Sequence, residues 1–206
     1  MKDYKTVAKE ADAELIERRS RFISYVAPVQ EEDAAIDFIN SVRAKHRDAS
    51  HNVYAYVCRE NNTQRYSDDG EPTGTAGLPV LEVIKKTGIT DVCVVVTRYF
   101  GGIHLGAGGL IRTYGKSAAL GVEMAGIKNM IYSGIFSVIT DYSLHGKLQF
   151  VVSENGYKTM DSEYGENVRL VICVSADREE ELVDKLTDAS GGRATIEKKG
   201  QDFIEH

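Results

Sequence analysis

Within residues 95–115, an apolar, strand-like segment passes into the first turn of a helix-like segment, and five glycines occupy this passage: Gly101, Gly102, Gly106, Gly108 and Gly109. Because glycine has no side chain, it adopts backbone conformations with positive φ and lets another molecule approach the main chain closely. The first turn of a helix also carries unpaired N–H groups and partial positive charge. Such a passage suits an anion, although the same glycines could serve only tight turning and close packing.

Charged and aromatic side chains surround this glycine-rich loop. Arg98 precedes it and Arg112 follows one to two turns into the predicted helix, so both guanidinium groups could contact phosphate. Tyr99 and Phe100 are available to stack on a base. The candidate binding residues of this segment are Arg98, Tyr99, Phe100, Gly101, Gly102, His104, Gly106, Gly108, Gly109 and Arg112.

A second loop, over residues 66–79, is dense in turn-forming residues, and Thr75 is the predicted N-cap of the helix that follows. Asp68 and Asp69 could bind a hard cation or act as acid and base. Asp in such a sequence also forms turns by accepting hydrogen bonds from backbone N–H groups, and we favour that interpretation. Both aspartates are kept as candidate binding residues, and His51, near this loop, could act as a general base.

Familiar motifs of nucleotide and metal chemistry are not found. The glycine-rich loop does not end in Gly-Lys-Ser/Thr, and the run that begins at Gly106 has Ile111 where a Rossmann motif requires glycine. No recognised motif places a Ser or Cys nucleophile beside a histidine. Cys58, Cys93 and Cys173 are too scattered for a zinc site or a disulfide framework. We therefore expect no metal, no cofactor and no catalytic residue.

Charge is distributed unevenly along the chain. The 206 residues carry 25 Lys and Arg against 31 Asp and Glu, and residues 1–130 carry equal numbers of each sign, so the net charge of −6 lies after residue 130. An acidic chain is poorly suited to strong nonspecific nucleic-acid binding, but the neutral part can carry a local basic surface. The longest apolar run is too short to span a membrane, and the charged N-terminus does not resemble a secretory signal. We expect a cytoplasmic protein without a membrane partner.

Hydrophobic periodicity predicts an α+β chain with four strands and three helices in residues 1–130. A buried stripe in the last of these helices is predicted to contain Leu110, Ile111, Tyr114, Ala118 and Val122. The predicted elements are strands at 14–18, 22–29, 52–58 and 92–97, and helices at 31–45, 76–87 and 107–125.

A new pattern starts after residues 126–133, which we assign to a domain boundary. It predicts the order βαββαβ, the ferredoxin-like or split-βαβ motif, which packs two helices on one antiparallel sheet. The domains are therefore 1–130 and 131–206. The predicted elements of the second are strands at 135–140, 159–164, 168–174 and 194–198, and helices around 144–152 and 182–189.

Two long motifs, residues 67–79 and 94–112, strongly resemble those of the YigZ/IMPACT family. The resemblance covers the whole chain. It implies a first domain similar to the second domain of ribosomal protein S five, and a second domain similar to the last domain of elongation factor G. Eukaryotic relatives regulate translation by interfering with activation of a stress kinase, but they carry a different partner-binding N-terminal domain, so that role cannot be transferred.

Both domains therefore resemble modules found on or around the ribosome. This analogy favours a non-catalytic protein that binds RNA, the ribosome or a translation factor through the glycine-rich loop. The alternative is a small enzyme that holds a phosphorylated metabolite or nucleotide at the same loop, with Asp68 or Asp69 supplying a metal ligand or base. The sequence leaves the oligomeric state open.

Overall fold

The computed structural model describes residues 2–205. The chain divides into two compact units, residues 4–129 and residues 130–205 together with residues 2–3. None of the described helices combines the length and the apolar character needed to cross a membrane. The elements of the first unit are β1 (Tyr4–Val7), β2 (Ala11–Glu17), β3 (Ser20–Pro28), α1 (Glu32–Lys45), β4 (His51–Cys58), β5 (Thr63–Ser67), α2 (Gly77–Thr87), β6 (Val92–Tyr99) and α3 (Ala107–Ala125).

Strands β2 to β6 form an antiparallel sheet in the order β2-β3-β6-β4-β5. The central strand β6 is covered on both faces, as its continuous apolar run predicts, and the side chains of residues 92–96 are fully buried. Helices α2 and α3 pack on one face and α1 on the other. Side chains of β6 therefore alternate between two different environments.

Helix α3 begins and ends at the residues predicted for it, but one member of its buried stripe was wrong. Leu110, Tyr114, Ala118 and Val122 are buried, whereas Ile111 is 45% exposed. The buried positions follow a spacing of four residues, and one further residue turns the helix by about 100°, away from the sheet. The small residues of α3 allow close packing, as predicted: a Cβ at Gly121 would lie 2.6 Å from Ser24 Oγ on β3.

The second unit confirms the predicted order βαββαβ, and its antiparallel strands lie in the order β8-β9-β7-β10. Strands β7 and β10 are longer than predicted because they pair with each other along most of their length, from Thr195 opposite Ile139 to Glu205 opposite Met130. The elements are β7 (Ile127–Thr140), α4 (Tyr142–Glu154), β8 (Lys158–Tyr164), β9 (Val168–Ser175), α5 (Glu179–Ser190) and β10 (Thr195–Glu205).

Candidate functional site

A pocket of about 480 Å³ opens where the segment after β6 meets the start of α3. It brings together the glycine-rich loop, the loop that precedes α2 and the first residue of β4. We call it the loop pocket. Its lining includes His51, Glu71, Arg98, Phe100, His104 and Ala107, the first residue of α3.

Arg98 enters the wall of the loop pocket as one half of a buried ion pair. Its Nη1 donates to Glu71 Oε1 at 2.6 Å, and its Nη2 donates to Ser20 Oγ at 3.4 Å. The side chains of Arg98 and Glu71 are only 6% and 4% exposed. Since the carboxylate neutralises the guanidinium, Arg98 is held inside the protein rather than presented as an exposed phosphate contact.

The same carboxylate oxygen of Glu71 accepts a hydrogen bond from the Tyr114 hydroxyl on α3 at 2.7 Å. Burial, followed by this hydrogen bond, raises the pKa of Tyr114 far above its usual range, so the hydroxyl remains a donor. The pairing of Glu71 with Arg98 was not predicted. The sequence did contain a clue to this pair. Arg98 lies on the same face of β6 as the buried Val94 and Val96, and a buried arginine requires a carboxylate partner.

Asp68 stabilises the loop that precedes α2. Its Oδ1 accepts hydrogen bonds from the N–H groups of Ala76 and Gly77 at 3.0 and 2.8 Å, and its Oδ2 accepts one from Gly74 at 2.8 Å. The prediction of Thr75 as the N-cap was wrong, because Ala76 holds that position without a side-chain cap and the Thr75 hydroxyl donates to the Pro72 carbonyl. The loop folds back so that a distant carboxylate replaces the local cap.

Asp69 connects three segments of the first unit. Its Oδ1 accepts from Arg43 Nη2 at 2.9 Å, and its Oδ2 accepts from the Asn52 N–H at 2.6 Å. Its backbone carbonyl lies 2.8 Å from His51 Nδ1. Because a carbonyl only accepts, Nδ1 carries the proton, and the other ring nitrogen, Nε2, lies 3.9 Å from Glu71 Oε1. The loop carbonyl thus fixes the orientation of His51 in the pocket wall.

Two of the predicted aromatic residues separate onto different faces of the molecule. Phe100 is 43% exposed and contacts His104, with 5.2 Å between the ring centroids. Tyr99 lies on the α1 side of the sheet, where its hydroxyl contacts His46 Nδ1 at 2.8 Å and donates to Asp48 at 3.2 Å. The alternation of β6 therefore keeps Tyr99 out of the loop pocket.

Glycine is required in the loop for two separate reasons. A Cβ at Gly101 would lie 2.0 Å from the Arg19 carbonyl oxygen, so the loop passes closely over the turn between β2 and β3. Gly106 holds the N-cap position of α3 with φ +70° and without a capping side chain. The first backbone hydrogen bond of the helix runs from Leu110 to Gly106. The preceding N–H groups, including that of Ala107, are therefore at an uncapped helix end that lines the loop pocket.

The remaining predicted glycines have less restrictive surroundings. Gly102 has φ +81° and open space around it. In the first turn of α3, a Cβ at Gly108 would meet only Arg112 Nη1, at 3.7 Å, and a Cβ at Gly109 would lie 3.0 Å from Leu105 Cβ.

Arg112 is exposed and lies outside the loop pocket. It lines a smaller depression of about 230 Å³ together with Glu17, Arg18 and Lys116, which we call the basic depression. Leu105 lies in the wall of both cavities. The structure therefore does not bring Arg98 and Arg112 to one point, but places them in neighbouring sites.

Comparison with known proteins identifies the family. The model of the Impact N-terminal domain matches residues 18–122, which contain both loops. A second model, of a domain of unknown function, DUF1949, matches residues 138–193. The chain is 38% identical to the IMPACT family member YvyE of Bacillus subtilis over 203 residues, 98% of this chain and 94% of that protein. The chain belongs to the IMPACT family.

Other family members support this assignment. The IMPACT family member YigZ of Escherichia coli is 33% identical over 178 residues, 85% of this chain and 87% of that protein. Protein IMPACT of Rattus norvegicus is 38% identical over 104 residues, 46% of this chain and 31% of its own length. A crystal structure of a hypothetical protein has 30% identity and a TM-score of 0.62, covering 95% of this chain and 97% of that chain.

Proposed function

We propose that this IMPACT family member is a non-catalytic, ribosome-associated protein that binds RNA and acts in the regulation of translation. The observation that carries the proposal is the basic depression. Arg18, Arg112 and Lys116 line it with Glu17 as its one carboxylate residue, in a chain whose net charge is −6. Three cations beside one carboxylate give phosphate groups a local place to bind.

The neighbouring loop adds a surface for bases. Phe100 is exposed, and its contact with His104 presents two rings beside the uncapped end of α3. Single-stranded RNA is commonly held by cations that contact its backbone and by aromatic rings that stack on its bases. Because Leu105 belongs to both cavities, one RNA strand could contact both sites.

The family and the fold support a role in translation. Residues 18–122 match the Impact N-terminal domain, and this shared domain supports a role in translation. We also infer that the domain of residues 1–130 is similar to the second domain of ribosomal protein S five, and that of residues 131–206 to the last domain of elongation factor G. The strand order β8-β9-β7-β10 supports the second similarity. A cytoplasmic location is part of the same proposal.

Charge reversal in the basic depression tests the proposal. The double variant Arg112→Glu/Lys116→Glu should lower the affinity for a single-stranded RNA and reduce ribosome co-sedimentation. Each lost phosphate contact should reduce the slope of log affinity against log salt by about 0.7 to 1. A matched control, Arg47→Glu/Lys147→Glu, makes the same change in net charge at two other exposed positions. Equal behaviour of the two double variants in anisotropy and sedimentation over a salt series would overturn the proposal.

A further inference from the structure

The loop pocket contains hydrogen-bond donors and acceptors that the described residues leave unused. The donors are N–H groups in the first turn of α3, where no side chain caps the helix. One acceptor is His51 Nε2, which lies 3.9 Å from Glu71 Oε1. The other is Glu71 Oε2, since Arg98 and Tyr114 both donate to Oε1. A ligand that satisfies this pocket must therefore carry both an anionic acceptor and hydroxyl or N–H donors.

The electrostatics of the pocket also favour an anion. Arg98 and Glu71 neutralise each other, and the start of the 19-residue helix α3 supplies partial positive charge. Arg98 is 95% buried, yet its Nε has no hydrogen-bond partner among residues 2–205. The guanidinium lies between the rings of Phe22 and Phe100, 5.3 and 5.4 Å from their centroids. The guanidinium thus lies in the pocket wall with one buried N–H unsatisfied.

The rings of Phe100 and His104 line the same pocket, inclined to each other by 43°, and the exposed Phe100 ring offers an aromatic face for a base. The volume of about 480 Å³ lies within the range of small-molecule sites, which is about 300 to 1,000 Å³. A ribonucleotide carries all three groups that such a ligand needs: an anionic phosphate, hydroxyl donors and an aromatic base.

We propose that the loop pocket binds a single ribonucleotide through its 5′-phosphate and its 2′,3′-diol. The phosphate accepts hydrogen bonds from the first turn of α3, the diol donates to His51 Nε2 and Glu71, and the base stacks on the Phe100 ring with its edge toward His104. The same chemistry belongs to a free nucleoside 5′-monophosphate and to the 3′-terminal nucleotide of an RNA. In the second form the inference rests on the RNA-binding function proposed above.

Calorimetric titration with three probes tests the pocket on the intact protein. The binding of adenosine 5′-monophosphate should be saturable. Its 2′,3′-dideoxy analogue should bind at least about tenfold more weakly, because His51 Nε2 and Glu71 Oε2 then stay unpaired. Inorganic phosphate should compete with both. In the RNA arm, an oligonucleotide that ends in a 2′,3′-diol should bind more tightly than the same oligonucleotide with a dideoxy end.

Two variants test the binding of the phosphate and the binding of the diol separately. Ala107→Pro removes one N–H donor at the first helical position, where proline is tolerated, and should weaken the binding of both nucleotides and of phosphate about tenfold. Tyr142→Pro, the same type of change at the first position of α4, is its control. His51→Asn retains a donor toward the Asp69 carbonyl but removes Nε2, so it should lower the preference for the diol and leave phosphate binding unchanged.

The outcomes distinguish this inference from the proposed function. Binding of the monophosphate with loss in Ala107→Pro supports the pocket, whichever RNA result accompanies it. RNA binding that depends on Arg112 and Lys116 but is indifferent to the 3′ end, together with no monophosphate binding, overturns the pocket and leaves the proposed function standing. Monophosphate binding without any RNA binding assigns the pocket to free nucleotides and overturns the proposed function instead. Equal affinity for the diol and dideoxy forms would also contradict the inference.

Discussion

Arg98 and Arg112 belong to one glycine-rich motif, yet their surroundings differ in every respect that matters for binding. Arg98 is buried, paired with Glu71 and held in the wall of the loop pocket. Arg112 is exposed in the basic depression next to Arg18 and Lys116. Residue type and closeness within one motif therefore do not determine the role of an arginine. Arg98 lies on the face of β6 that packs against α2 and α3, so it is buried. Arg112 lies on the side of α3 that turns away from the sheet, so it is exposed.

Removal of the charge of each arginine tests this difference most directly. Arg98→Met should lower the free energy of unfolding by about 3 to 5 kcal/mol, because it leaves the Glu71 carboxylate buried without its partner. Arg112→Met, at an exposed position, should change it by less than about 0.5 kcal/mol. Urea denaturation of both variants measures the difference.

A second variant shows whether the loss at Arg98 comes from the ion pair. Arg98→Met/Glu71→Gln removes both charges, so its loss should be smaller than the sum of the two single losses. Additive losses, or equal stability of Arg98→Met and Arg112→Met, would contradict the assignment of Arg98 to a buried pair.

Glycines of the same motif provide a second contrast. Gly101→Ala should destabilise the protein by about 1 to 3 kcal/mol, since its Cβ would meet the backbone of Arg19 at 2.0 Å. Gly115, in the middle of α3, has open space where its Cβ would lie, so Gly115→Ala should stabilise the helix by up to about 1 kcal/mol. Thermal melts of the two variants should shift in opposite directions, and a shared direction would refute the proposed close approach at Gly101.

A substitution of Asp68 distinguishes turn formation from metal binding in the loop that precedes α2. Asn keeps one acceptor but places an amide NH₂ where an oxygen of Asp68 now accepts from Gly74. Asp68→Asn should therefore cost about 1 kcal/mol, in the range of a lost helix cap. Arg65→Gln, in the same region but exposed, is a suitable reference. Magnesium titration should give no heat that depends on Asp68, and tight binding lost in the variant would reverse this interpretation.

Much of the architecture could be predicted because it depends on local periodicity. Helix α3 was predicted with its correct bounds, the burial of β6 followed from its apolar run, and the order βαββαβ followed from alternation and helical stripes. Family membership followed from two long motifs and is confirmed by the matching models. Strand β5 was missed because it is a short edge strand of mostly exposed polar residues.

The site was predicted only as a set of residues near two loops. Most of the strands and helices, the positions where glycine interrupts them, and the family of the chain followed from the sequence alone. Only the tertiary structure decided that Arg98 pairs with Glu71, that Asp68 caps a helix across a loop, and that Tyr99 lies away from the pocket. The physical reason is that periodicity records the neighbours of a residue within its own element. A hydrogen bond between loops depends instead on how separate elements pack.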